Sequence, residues 1–94
     1  MMTAKEFKEE VMFLAQDIGV EPKEIQIRKM KRKWGSCSSK GRLTFATALL
    51  EKPKDFRLKA VLHELLHLKY PNHGRMFRTM LNNYLEKNLS ADKR

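Results

Sequence analysis

The stretch HELLHLKYPNH, residues 63–73, contains all three histidines of a 94-residue chain. Apolar residues at 61, 62, 65, 66 and 68 predict a mostly buried helix that begins near Pro53 and runs to about Lys69. Pro71 ends this helix, because proline cannot continue the hydrogen-bond ladder and restricts the residue before it. The chain then reverses, and a last helix is predicted after Gly74 with an inward face of Met76, Phe77, Met80, Leu81, Tyr84 and Leu85.

Two of these histidines share one face of the predicted helix. His63 and His67 are four residues apart, so their rings lie about 40° apart around the axis and one turn apart along it. Both can therefore reach a single ion, and Glu64 beside them can reach a water bound to that ion. This HExxH pattern predicts two zinc ligands and a general base. The alternative is a pair of helix-face histidines held by ordinary hydrogen bonds.

A catalytic zinc usually has three protein ligands and an open position for water. His73 is favoured as the third ligand, since the reversal after the helix can return it towards the metal. Its offset of six from His67 also equals the third-ligand offset of the metzincin pattern. Tyr70 then stands where that pattern has glycine, so the turn must be made differently. The rival ligand is Glu86, as in enzymes that use two histidines and a glutamate, but it would leave the position of His73 unexplained.

Three neutral imidazoles would leave one catalytic zinc ion with its full positive charge. Such an ion lowers the pKa of its water and polarises a substrate carbonyl. Glu64 is then predicted to take the proton of the water and to pass it to the leaving amine. The side chain that helps to stabilise the oxyanion is left open among Tyr70, Asn72, Arg75 and Tyr84.

The N-terminal part of the chain predicts one helix followed by short strands. Thr3 and Glu6 have capping-box spacing, and apolar residues then recur at helical intervals over residues 3–18, up to Gly19. Alternation at 25–27 indicates a half-buried strand. Two further strands are expected in the stretches WGSC and RLTFAT, joined by a hairpin around residues 39–41, with a bulge or a strand break within 28–33.

The predicted fold class is therefore α+β. It has an N-terminal helix, a small and mainly antiparallel three-stranded sheet, an active-site helix and a C-terminal backing helix, all in one domain of residues 1–94. The last five residues, SADKR, are expected to fray.

Two motifs resemble a known family. RKMKRKWGSCSSKGRLTF, residues 28–45, and HELLHLKYPNHGRMF, residues 63–77, resemble the YgjP-like family of small zinc metallopeptidases, which are related to the SprT and Spartan proteases. The resemblance covers about residues 25–85 and implies a minimal zincin fold. It also implies a base at Glu64 and the metal ligands His63, His67 and His73.

The chain departs from the family pattern in two places. Ala46 or Thr47 stands where family members carry an asparagine, and Arg78 follows Phe77 where a tryptophan is frequent. Both departures concern expected substrate contacts and leave the implied metal ligands unchanged.

Other residues carry separate expectations. By analogy with zincins, the strand containing Leu43, Thr44 and Phe45 is predicted to be a sheet edge that pairs with an extended substrate; the alternative is a purely structural strand. Cys37 is expected to be a small buried hydrophobe rather than an inhibitory thiolate. Trp34 is expected in the core.

Composition limits the class of protein. The chain carries 20 Lys plus Arg against 11 Asp plus Glu, a net charge of +9, which favours acidic partners. A single cysteine excludes an internal disulfide, and no stretch approaches the ~18 apolar residues of a membrane span. We therefore expect a cytoplasmic protein without a secretion signal or a membrane partner.

The favoured function is a zinc metallopeptidase that acts on peptides or proteins. The alternative is a basic zinc module associated with nucleic acid, or a protease acting on DNA-bound proteins, with the run at 28–33 contacting phosphates. Glu64 favours the enzyme, because a structural zinc site needs no base.

Overall fold

A computed structural model describes residues 1–90 of the chain, and its α+β architecture confirms the predicted fold class. The predicted fraying of the C-terminus lies, apart from Ser90, outside the described residues. None of the helices within 1–90 has the length and hydropathy needed to cross a membrane. The elements in chain order are α1 (Ala4–Ile18), β1 (Glu24–Arg28), β2 (Gly35–Cys37), β3 (Arg42–Ala46), a 3₁₀ helix (Thr47–Glu51), α2 (Lys54–His67) and α3 (Arg75–Ser90).

Local signals set both ends of α1. Thr3 Oγ1 accepts a hydrogen bond from the Glu6 backbone N–H at 3.1 Å, and Thr3 N–H donates to Glu6 Oε1 at 2.9 Å. This reciprocal pair is the predicted capping box. At the other end Gly19 adopts a left-handed conformation with φ of 87°, which glycine reaches without a steric penalty. The predicted boundaries of this helix are confirmed.

The sheet is mixed, with the strand order β1-β3-β2. β2 pairs antiparallel with β3, whereas β1 pairs parallel with β3 over five positions from Glu24↔Arg42 to Arg28↔Ala46. The prediction of a mainly antiparallel sheet is therefore corrected, because β1 and β3 pair in parallel. The reason is that residues 29–34 reverse the chain without pairing β1 to β2, so the following hairpin inserts β3 between them.

The central position of β3 overturns a second expectation. Leu43 and Phe45 are fully buried, and the backbone of the strand is paired on both sides. The prediction that Leu43, Thr44 and Phe45 form a sheet edge for an extended substrate is therefore wrong, because no main-chain edge is left for a peptide to join. The edge strand that lies next to α2 is β2, not β3.

The core lies between the sheet and the helices. Phe7 of α1 meets Phe45 of β3 edge to face, with ring centroids 5.3 Å apart, and the leucines of α2 fill the remaining space. α2 ends at His67, two residues before the predicted end, and Leu68 and Lys69 form a closing turn ahead of Pro71. An ion pair that the sequence did not predict joins α1 to α2, with Arg57 Nε 2.8 Å from Glu10 Oε1 and both side chains largely buried.

Trp34 does not lie in the core as predicted. Its side chain is 40% exposed and meets the ring of Phe56, itself 41% exposed, edge to face at 5.0 Å. Trp34 precedes the short edge strand β2, and only its carbonyl is tied into the sheet, where it accepts a hydrogen bond from Ala46 N–H. The indole therefore lies at the surface between β2 and α2.

Candidate metal centre

The structure brings the three predicted histidines together. His63 and His67 lie one turn apart on α2, and His73 returns from the loop after Pro71. Their possible ligand atoms all lie within 4.8 Å of one another, and Nε2 of His67 is 2.8 Å from Nε2 of His73. Among residues 1–90, these three histidines form the one group of histidine, cysteine or acidic side chains that could hold a metal ion.

The conformation of the loop after α2 shows why a tyrosine is tolerated at position 70, where the metzincin pattern has a glycine. Its backbone N–H donates to the Leu66 carbonyl at 2.7 Å, which closes the last turn after α2. Positive φ angles among the described residues occur only at Gly19 and Gly41. The reversal from Pro71 to Gly74 therefore uses ordinary backbone conformations, and a side chain at position 70 causes no strain.

The histidine cluster fits a tetrahedral metal ion. Ligand nitrogens on one tetrahedral zinc lie about 3.3 Å apart for bonds of about 2.05 Å, close to the spacing of these imidazoles. Neutral imidazole nitrogen suits zinc and other late transition metals, whereas Mg²⁺ and Ca²⁺ prefer oxygen. Burial, with the charge of His63 second, lowers the pKa of His67 and so favours the neutral form that a ligand needs.

Glu64 lies beside this cluster and is nearly buried. Its side chain is 11% exposed, and Oε2 lies 3.2 Å from Nδ1 of His63. The carboxylate also faces the β2 strand, where Gly35 leaves room for it. A Cβ at position 35 would lie 3.0 Å from Glu64 Cγ, 3.1 Å from a ring carbon of Phe45 and 3.3 Å from the Thr44 carbonyl.

The substitution Gly35→Ala should therefore displace Glu64. We expect it to destabilise the fold by about 1–3 kcal/mol through overpacking and to lower peptide hydrolysis by up to about 100-fold through misplacement of the carboxylate. Metal content should not change, because no histidine is touched. Gly74→Ala is the matched control, since nothing lies within 4 Å of a Cβ there. Elemental analysis, thermal unfolding and peptide hydrolysis on both variants make the test, and equal activities would show that Gly35 does not position Glu64.

Phe77 supports the three histidines from α3. It is 2% exposed, and its ring centroid lies 5.2, 4.9 and 4.9 Å from those of His63, His67 and His73. Sequence reasoning placed Phe77 inward but missed this contact. The signal available was its spacing, since Phe77 follows His73 by four residues and lies in the first turn of α3.

Glu86, the rival third ligand, is not part of the cluster. It is exposed on α3, nine residues after Phe77, which is about 13 Å along a helix axis. The structure thus brings His73 to the other two histidines and leaves Glu86 apart.

An open cleft runs between β2 and α2, with Glu64 in its middle. On one side of Glu64 is a polar cavity of about 490 Å³, and on the other an aromatic one of about 390 Å³. The polar cavity is lined by Lys33, Gly35, Ser36, Cys37, Ser38, Ser39, Glu64, His67 and Pro71. The aromatic cavity is lined by Trp34, Gly35, Phe56, Lys59, Ala60, His63 and Glu64.

Cys37 lines the polar cavity and is half-buried rather than fully buried as expected. Its thiol lies 3.6 Å from the Ser38 carbonyl oxygen, to which it donates a weak hydrogen bond. Burial raises the pKa of the Cys37 thiol, and the negative charge of Glu64 adds to that effect. Both effects favour the neutral thiol over the thiolate.

A small α+β fold that joins three convergent imidazoles to a buried carboxylate in an open cleft places this protein among the metallopeptidases. Its family is more specific: the chain belongs to the YgjP-like family, whose metallopeptidase-domain model matches residues 2–94. The resemblance seen in the sequence motifs is thereby confirmed.

A solved structure agrees with this assignment. The fold is similar to that in the crystal structure of the metallopeptidase zymogen of Pyrococcus abyssi abylysin, with a TM-score of 0.65. The two sequences are 27% identical, and the match covers 84% of this chain and 76% of that chain. A comparison with curated proteins finds no match.

Proposed function

We propose that this protein is a zinc-dependent peptidase that hydrolyses peptide bonds with His63, His67 and His73 as metal ligands and Glu64 as general base. The observation that carries the proposal is the meeting of three imidazoles within 4.8 Å beside a carboxylate in an open cleft. Three protein ligands with an open position are typical of catalytic rather than structural zinc sites.

Glu64 has the surroundings that a general base needs. Zinc, when bound, would supply a Lewis acid that lowers the pKa of a water and polarises the scissile carbonyl. Glu64 takes a proton from the attacking water, the water oxygen bonds to the carbonyl carbon, and the same proton passes to the amine as the C–N bond breaks. Gly35 leaves the room in which the Glu64 side chain lies, because a Cβ at position 35 would be 3.0 Å from Glu64 Cγ.

The substrate main chain would lie along β2 rather than β3. β2 is an edge strand of the sheet and lines the cleft that contains Glu64. An extended peptide can add to such an edge through main-chain hydrogen bonds, which gives binding without dependence on sequence. We infer that the substrate is a peptide or an unfolded segment of a protein.

The nucleic-acid alternative is supported only by the basic charge of the chain, which is +9. A structural zinc module needs no base, and the nearly buried Glu64 has no purpose in one. The peptidase is therefore the function that we propose. The cytoplasmic location and the single domain over residues 1–94 remain predictions.

Metal removal tests the proposal directly. We expect the purified chain to bind about one zinc per molecule, to cleave casein or a quenched-fluorescent peptide, and to lose that activity on treatment with 1,10-phenanthroline. Stoichiometric zinc should restore the activity, whereas Ca²⁺ should not, because the cluster offers imidazole nitrogen only. Hydrolysis that persists in the fully metal-free protein would contradict the proposal.

A further inference from the structure

Two exposed aromatic rings lie against each other at one end of the catalytic cleft. Trp34 and Phe56 are 40% and 41% exposed, with ring centroids 5.0 Å apart. Both line the aromatic cavity that extends to His63 and Glu64, and we call it the aromatic cleft. The other large hydrophobic side chains exposed in the described part of the chain, such as Phe13 on α1, do not line this cleft.

The aromatic cleft is also basic. Lys52 Nζ lies 5.0 Å from the centroid of the Trp34 ring and 5.6 Å from that of Phe56, and Lys59 is part of the lining. Of the side chains that line the cleft, one is acidic, and this is Glu64, the proposed base. A ligand entering the cleft therefore meets two aromatic rings and Lys59, with the Lys52 ammonium close to those rings.

We propose that the aromatic cleft is a specificity subsite that accepts an aromatic side chain of the peptide next to the scissile bond and rejects a lysine or arginine there. This inference rests on the proposed peptidase function. Trp34 and Phe56 would determine the specificity of the subsite. The charges of Lys52 and Lys59 would exclude basic substrates.

The chemistry of the cleft favours an aromatic occupant over others. An incoming ring can stack edge to face on Trp34 or Phe56 and can also present its face to a lysine ammonium. An aliphatic side chain gains only the apolar contact. A basic side chain would bring a third positive charge towards Lys52 and Lys59, which outnumber the one carboxylate that lines the cleft, Glu64. The expected order of preference is aromatic, then aliphatic, then basic.

Hydrolysis of matched peptides tests the subsite. We expect kcat/KM for a peptide with phenylalanine beside the scissile bond to exceed that for the lysine peptide by about 100-fold, and Phe56→Ala to lower the phenylalanine value by about tenfold. The alanine peptide should change less than about twofold in Phe56→Ala, which separates the loss of a contact from general damage. Phe13→Ala removes an exposed ring outside the cleft and should leave the hydrolysis of all three peptides unchanged.

A charge reversal provides a second variant that does not remove an aromatic ring. Lys59→Glu should raise kcat/KM for the lysine peptide by about tenfold relative to the alanine peptide, because it replaces repulsion by attraction. Lys8→Glu on α1 makes the same change in net charge at an exposed site away from the cleft and should have no such effect.

Binding provides a readout that does not need catalysis. Trp34 is the only tryptophan of the chain, so its fluorescence reports occupancy of the aromatic cleft. In the zinc-loaded Glu64→Gln protein, the phenylalanine peptide should change this fluorescence at concentrations about tenfold lower than the lysine peptide. A binding preference without hydrolysis by the wild type would reject the peptidase and keep the subsite. Hydrolysis without any preference, or no fluorescence response to any peptide, would overturn the subsite.

Discussion

Replacement of Glu64 by glutamine should lower peptide hydrolysis by about 10²–10⁴-fold while the zinc content stays at one ion per chain. Glutamine keeps the size of the side chain, so the close fit of Cγ against Gly35 and the packing of α2 are preserved. What it removes is the ability to accept and return a proton. The loss should appear mainly in kcat, because the main-chain hydrogen bonds of a peptide along β2 do not need the charge of the carboxylate.

Glu86→Gln is the matched control for this prediction. It makes the same chemical change on an exposed part of α3, and it should leave both activity and zinc content at wild-type values. Elemental analysis, steady-state kinetics and thermal unfolding of the three proteins make the comparison. If Glu64→Gln retained zinc and full activity, Glu64 would not be the base.

The second large effect is expected from His73→Ala. We predict that zinc affinity falls by more than about 100-fold, since removal of a direct ligand should exceed the 10–100-fold effect of losing a supporting residue. Activity should fall with it at limiting zinc. The apo fold should survive, because His73 is exposed and its removal opens no cavity in the core.

Zinc-dependent stability distinguishes loss of a ligand from loss of the fold. Zinc should raise the midpoint of thermal unfolding of the wild type, because a ligand that binds only the native state stabilises it by mass action. His73→Ala should lose most of this increase but unfold at the wild-type temperature without zinc. Glu86→Ala should behave as wild type throughout. Loss of zinc in Glu86→Ala and its retention in His73→Ala would assign the third ligand to the glutamate instead.

The relative positions of residues within one helix could be predicted from the sequence, because they depend only on local backbone geometry. A spacing of four residues in an α-helix fixes His63 and His67 on one face whatever the rest of the chain does. The capping box at Thr3, the end of α1 at Gly19 and the reversal at Pro71 rest on backbone preferences of single residues or turns. The HExxH pattern also predicted Glu64 as the base, and the offset of six favoured His73 as the third ligand. The family resemblance implied the same residues.

The order of the strands could not be predicted from the same kind of pattern. Alternation of apolar and polar residues is the same in a central strand as in an edge strand, and RLTFAT gave no sign that β3 has a partner on each side. Trp34 was misplaced for a related reason. A large apolar residue predicts burial on average, but the position of β2 at the sheet edge leaves this ring at the surface.

The sequence by itself determined the helices, the reversal of the chain after α2 and the two candidate metal-ligand positions on α2. Only the tertiary structure decided that His73 rather than Glu86 meets those positions, that Gly35 faces Glu64, and that Trp34 and Phe56 form one wall of the cleft. The physical reason is distance along the chain. Contacts within a helical turn follow from backbone geometry, whereas contacts between elements depend on how α2 packs against the sheet and α3.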